Sequence, residues 1–175
     1  VAATREAAMQ AFVKLGFPTT KHEEWKYTSL RNLIEGNFAP AFRQLATGID
    51  HSVDYFYDVV LPHGFGSNVV VLVNGHFDPH LSRLTPGLIQ VGSLKSAIEK
   101  DDAAVLAHYT KLAAFESNAL VALNTAIAAD GYYLHIPRNV QFAEPINVIH
   151  LGIGEGVAAN SRTLILVDDL SEAKV

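Results

Sequence analysis

The hydrophobic rhythm of this chain changes at Asp130-Gly131, and that change limits the folds open to it. Before it, Leu120, Leu123 and Ile127 recur at helical spacing, flanked by Ala119, Val121, Ala122 and Ala126. A helix apolar on nearly all sides is expected to be deeply buried. After it, Tyr132, Leu134 and Ile136 alternate with Tyr133 and His135, and Val140 and Phe142 flank Gln141. Pro145 opens a run from Ile146 to Leu151, Gly152 to Gly156 make a turn, and Arg162 to Val167 form another strand. Short strands separated by turns, with no helix between them, suggest a β-helix, a sandwich or a barrel. Periodicity does not choose among the three. The expected class is α+β, with the helices concentrated upstream and the strand run last.

Upstream, Thr4 is placed to cap a helix carrying Ala7, Ala8, Ala11, Phe12 and Leu15 on one face. Gly16 closes it and Pro18 prevents its continuation. From Asn37 to Asn68, Pro40, Gly48, Pro62, Gly64 and Gly66 break up the aromatic run Tyr55-Phe56-Tyr57, which predicts a loose connector with one short strand. Val69 to Val73 is a β-branched run ending at Asn74-Gly75, the strongest short hairpin signal because both residues tolerate positive φ. Pro79 interrupts the second arm, so Phe77 onward is expected at a sheet edge. Leu88 to Val91 could add a third strand. Ser93 opens a helical tract through Leu94, Ala97, Ile98, Val105, Leu106 and Leu112, with a break expected over Glu99 to Asp102, and Ser117 is placed to cap the next helix.

Composition removes several function classes. No run approaches the roughly eighteen apolar residues of a membrane span, and Arg5, Glu6, Gln10 and Lys14 rule out a signal peptide at the start. A net charge of −5 with scattered Arg and Lys argues against a nucleic-acid partner. Cysteine is absent, so there are no disulfides and no thiolate ligands, which fits a reducing compartment such as the cytoplasm. His76 and His80 have the spacing that joins two imidazoles on a helix, but Pro79 between them disfavours one and no clustered carboxylate completes a metal set. His51, His63, His135 and His150 are isolated in sequence. Gly152-x-Gly154-x-Gly156 joins strand to strand with Glu155 inside it, and is a turn rather than a phosphate cradle. Asp168-Asp169 and Glu99 to Asp102 are expected to be solvated turns. No serine or thiol nucleophile motif is present. The chain is not expected to be an enzyme.

The stretch Lys21-His22-Glu23-Glu24-Trp25-Lys26-Tyr27-Thr28-Ser29-Leu30 holds the single Trp. Read as a helix, it places Tyr27, Leu30 and Ile34 on one face with Leu33 beside them, and lets Glu23 pair with Lys26. Charges around Trp25 suggest an anchor at a polar/apolar boundary.

Lys21, Glu23, Trp25, Lys26, Tyr27, Thr28 and Leu30, preceded by Gly16-Phe17-Pro18-Thr19, resemble the N-terminal signature of the SufB/SufD family of iron–sulfur cluster assembly subunits, on its SufD side. The Asn74-Gly75 hairpin, and the text Phe115, Ala119-Leu120, Leu123-Asn124, Ala126, Asp130-Gly131, Ile136-Pro137 and Pro145-Ile146, are similar to that family too. The resemblance implies two parts. Residues 1–130 would be an N-terminal helical domain with a small β-hairpin sheet, and 131–175 the first strands of a right-handed parallel β-helix. It further implies a scaffold without catalysis or cofactor in these residues, acting with a SufB-like subunit and a SufC-like ATPase through later β-helix and a C-terminal helical segment. An uncovered apolar end near Val175, on the order of 300 Å², would forgo roughly 7 kcal/mol of burial, so more chain is expected beyond it. Other readings are a cupin-like or sandwich enzyme binding a ligand among its histidines, self-association through the Trp25 face, and self-association through an open β edge.

Overall fold

The computed structural model describes residues 1–40, 56–61 and 68–175. Helix α1, Ala2–Leu15, starts before Thr4: alanine propensity carries the first turn, and Arg5 N–H bonds the Val1 carbonyl at 3.0 Å. Gly16 ends it at φ 67°, its N–H donating to the Phe12 carbonyl. Of the helix expected from Lys21 to near Gly36, only the last part forms, and it ends at Gly36 as expected. A 3₁₀ turn, Glu23–Trp25, is followed by a turn and irregular residues, and α2 covers only Arg31–Glu35. Local side-chain bonds win here: the His22 ring lies 3.0 Å from Thr19 N–H, and Ser29 Oγ accepts Arg31 N–H, so the backbone is diverted before a helix can propagate. Strand β1, Ala39–Pro40, is the short strand of the connector, which otherwise shows a turn at Phe56–Val60; residues 41–55 and 62–67 of that connector lie outside the described residues.

Strands β2 (Val69–Val73) and β3 (His76–Phe77) form the expected hairpin, with Asn74 at φ 51° and Gly75 at φ 83° supplying a turn that matches strand twist. Strand β3 is an edge, as Pro79 foretells. The next strand, β4, is Gln90–Ser93 rather than Leu88 to Val91, and it pairs outside the hairpin. Helix α3 (Leu94–Glu99) is capped by Ser93 and α4 (Ala103–His108) by Asp102, which sits in the expected break. Leu112 falls beyond α4 and is exposed, contrary to the stripe. Helix α5 (Ala119–Ile127) is capped by Asn118, not Ser117, because the longer amide reaches both the Leu120 and Val121 N–H groups at 3.1 Å. Only Ala122 and Thr125 of α5 are fully buried, and Ile127 is exposed. The helix is not enclosed: α1 packs along it through the small buried Ala8, and its large side chains stay at the margins.

From Asp130 on the chain is built from strands: β5 Asp130–Ile136, β6 Gln141–Phe142, β7 Asn147–Leu151, β8 Val157–Ala158, β9 Ser161–Val167 and β10 Glu172–Ala173. Strand β9 lies parallel on β5 and β10 parallel on β6, with the same sequence offset in both pairs. Strand β7 lies parallel on β2 and β8 parallel on β1. Among the described residues the antiparallel strand pairs are β2–β3 and β4–β5, with an isolated antiparallel bridge between Val69 and Arg83. The sheets are ordered β3-β2-β7 and β4-β5-β9, with two-stranded pairs beside them. No sheet among the described residues closes into a barrel.

In-register parallel stacking superimposes side chains of like direction. Tyr132, Leu134 and Ile136 meet Val70, Leu72, Phe77, Phe142 and Ile146 in one core. Val69, Val71 and Val73 face Phe56, Leu61 and Leu81 on the other side, so β2 is buried on both faces, as its unbroken apolar run requires. Leu164 joins Leu94, Ala97, Val105 and Tyr109 under the helices. Two asparagines bind neighbouring segments: Asn74 exchanges hydrogen bonds of 3.0 and 2.8 Å with the Ile153 backbone, and Asn68 accepts from Thr85 while donating to Glu144. Gly152 to Gly156 is the turn between β7 and β8.

Burial pushes the Tyr132 phenol above its ordinary value near 10, partly offset by a hydrogen bond with Thr163, and burial raises Tyr57 and Tyr133 likewise. A phenol that ionises later in the folded state than in the unfolded one contributes stability below pH 10 and loses it as pH rises through the folded value. Stability followed by urea denaturation should therefore decline as pH rises above about 10, and Tyr132→Phe should make that decline shallower.

Candidate functional site

The signature residues do not converge on one face. Trp25 is half-buried between the Leu15–Pro18 end of α1 and the Ser117–Ala119 start of α5, held there by the 3₁₀ turn. Phe17 packs edge-to-face on Phe12 at 5.0 Å and turns the chain toward that position. Tyr27 is 93% exposed, with Lys26 Nζ 5.7 Å from its ring. Lys26 and Glu23 do pair, at 3.8 Å, but both are largely exposed and such a pair contributes less than about 1 kcal/mol. Lys21 and Thr28 are in solvent and Leu30 is half-buried. Trp25→Ala should cost about 2 kcal/mol, below the range for a fully buried Trp, while Tyr27→Ala should stay within about 0.5 kcal/mol; urea melts of the two variants check this.

A buried polar constellation lies elsewhere, around Asp130, which is 9% exposed at the start of β5. Its Oδ1 accepts Ser93 Oγ–H at 2.9 Å and Lys95 N–H at 3.0 Å, and its Oδ2 accepts Phe77 N–H at 3.2 Å. His76 Nδ1 lies 3.9 Å from the same Oδ2. One carboxylate thus joins the hairpin, the first turn of α3 and β5. Above it opens a cleft of about 700 Å³ walled by Phe77, Pro40, Pro79, Ser93, Lys95 and Glu99. In the sequence Asp130-Gly131 marks only a change of period, and the partners of the carboxylate lie far from it along the chain. A signal existed: an acid just past the C-terminal end of a helix opposes the helix dipole, and a broken local rule points to a tertiary partner. Three donors, from the hairpin and the start of α3, thus engage the Asp130 carboxylate inside the fold.

Residues 1–148 match the model of the SufBD protein N-terminal region. The chain belongs to the SufB/SufD family. It is 27% identical over 150 residues to the iron–sulfur cluster assembly protein SufD of Escherichia coli K12, a match covering 86% of this chain and 31% of that one. It is 26% identical over 176 residues to an iron–sulfur cluster assembly SufBD family protein of Synechocystis sp. PCC 6803, covering 98% and 37%. The chain spans about a third of the length of these relatives.

Within this SufB/SufD chain the histidines do not gather. His76 lies on β3 and His80 in the turn beyond it, with no helix to align them. Among the described residues no group of three or more metal-ligating side chains comes together. His135 pairs with Asp168 at 3.1 Å across β5 and the end of β9, so Asp168 is not merely a solvated turn residue. His51 and His63 lie outside the described residues. Two arginines serve the C-terminal end of α5: Arg5 donates to the Ala128 carbonyl, and Arg162 donates to Thr125 Oγ1 at 2.7 Å over the Tyr109 ring. Burial pulls the Arg162 guanidinium below its ordinary value, with Tyr109 opposing the shift. Cations at that end complement the helix dipole. No helix among the described residues is long and apolar enough to cross a membrane.

Proposed function

We propose that this chain is the N-terminal, structural part of a SufD-like subunit of the Suf iron–sulfur cluster assembly system. It acts in the cytoplasm with a SufB-like subunit and a SufC-like ATPase, and needs neither nucleic acid nor membrane. The observation that carries this reading is the family match over residues 1–148. The parallel layers β5–β9, β6–β10, β2–β7 and β1–β8 fit the opening of a right-handed parallel β-helix, with residues 1–130 supplying a helical domain and the end cap and 131–175 the first coil. Of these, β5–β9 and β6–β10 share one sequence offset, as a layer added by translation does in solenoid folds. A chain without cysteine offers no thiolate to a cluster, so its contribution is shape and docking rather than chemistry or a resident cofactor.

The test is co-expression of a longer form, extended through the later β-helix and C-terminal helical segment, with SufB-like and SufC-like partners, followed by tandem-affinity purification, and anaerobic metal analysis of this chain by itself. A stable assembly of all three, and no stoichiometric metal on this chain alone, is the expected outcome. Stoichiometric iron or zinc on the isolated chain would overturn the structural reading and revive a ligand-binding enzyme.

A further inference from the structure

We propose that the hairpin end of the strand stack is sealed against the addition of another strand, with Asp130 as the stopper. A sheet edge with free outward N–H groups recruits a neighbouring strand, so an ordered edge needs a device against it. Strand β3 is such an edge. From Phe77 to Leu81, every backbone donor is engaged within the chain. Phe77 N–H goes to Asp130 Oδ2, and Asp78 N–H goes to the Val71 carbonyl at 2.9 Å. Pro79 has no N–H. His80 and Leu81 both donate to Asp78 Oδ1, at 2.9 and 3.0 Å.

Asp130 is the member of this set that reaches across from another element. Its Oδ2 sits where the carbonyl of a further strand would meet Phe77 N–H. The two donors on Oδ1, Ser93 Oγ–H and Lys95 N–H, fix the carboxylate so that it cannot swing away. The cleft outside this edge is large enough to admit an extended segment, yet Pro40 and Pro79 on its walls offer no donor. A strand arriving alongside Phe77 to Leu81 finds the backbone donors of that segment already engaged. The seal rests on residues that the signature does not include, and it holds whether or not the chain works in iron–sulfur assembly.

Sedimentation velocity over a wide concentration range, with hydrogen exchange resolved to the amides of residues 76–81, tests the seal. In the unaltered protein these amides should be protected independently of concentration. Asp130→Ala should lose at least about tenfold of the Phe77 protection when dilute, the scale of one hydrogen bond. It should regain that protection on concentration as copies pair along residues 76–81. Asp130→Asn has one acceptor oxygen and an NH2 in place of the other, so it keeps either the Phe77 bond or the Ser93 and Lys95 bonds, and its Phe77 protection should fall between those of the unaltered protein and Asp130→Ala. Should Asp130→Ala fail to fold, Asp78→Ala, which frees His80 and Leu81 N–H, must show the same concentration-dependent protection. The proposal is overturned if the folded variant stays monomeric, if association protects other residues instead, or if neither variant associates through this edge.

Discussion

Gly131→Ala should be among the most damaging single substitutions in this chain, lowering stability by about 3 kcal/mol or more, the upper end of overpacking costs. Gly131 pairs with Arg162 of the parallel strand β9, and a Cβ built on it runs into the Arg162 carbonyl and neighbouring backbone. Backbone cannot rotate aside as a side-chain tip can. The two strands must separate locally, and the cost spreads to both sides of the contact. Asp130 next door would lose its alignment with Phe77, Ser93 and Lys95, and Arg162 its donation to Thr125. A thermal melt should fall by roughly 6–12 °C for a chain of this size. Gly16→Ala is the control: that glycine also has positive φ, but nothing lies within 4 Å of the added Cβ, so only the backbone strain of φ 67°, ψ 174° is expected, about 2 kcal/mol. Equal losses at the two sites would show that the close approach to β9 does not matter.

Gly131 also shows where sequence reading ran out. As a helix stop it was legible, because the period visibly changes there. Its reason for being glycine lies in Arg162, a strand of the next layer, and no local pattern announces that. The same division runs through the fold. The Asn74-Gly75 hairpin, the Ser93 cap and the alternation of Tyr132, Leu134 and Ile136 depend on residues close in sequence, and each was readable. The parallel direction of the last strands depends on partners far along the chain, and period-2 patterning is silent on it. The Lys21 to Leu30 part of the next helix failed for a third reason: helical spacing of a few residues is weak against Thr19–His22 and Ser29–Arg31 bonds that satisfy the backbone another way. The family could be read from the signature residues, yet those same residues scatter over the surface. The constellation around Asp130, built from three separate segments, was the part that sequence left dark.

Leu134→Ala against Ile165→Ala should separate a covered layer from the one above it. The two residues are register partners on β5 and β9, point the same way and bury different amounts: Leu134 is 0% exposed, Ile165 is 39% exposed. Leu134 is enclosed by Leu72, Phe77, Ile146 and their neighbours, so truncation there removes burial and leaves a cavity, costing about 3–4 kcal/mol. Ile165 has a comparable side chain and an open side, so its truncation should cost about 1 kcal/mol, since its surroundings can relax and water already reaches it. Val167, stacked on the fully buried Ile136, is 54% exposed and should behave like Ile165. Urea denaturation of the three alanine variants measures the ordering directly. A further strand layer seated on β9 would bury Ile165 and Val167 as completely as Leu134 and Ile136 are buried now. The same Ile165→Ala substitution would then cost as much as Leu134→Ala, so the ratio of the two losses reports whether that layer is in place.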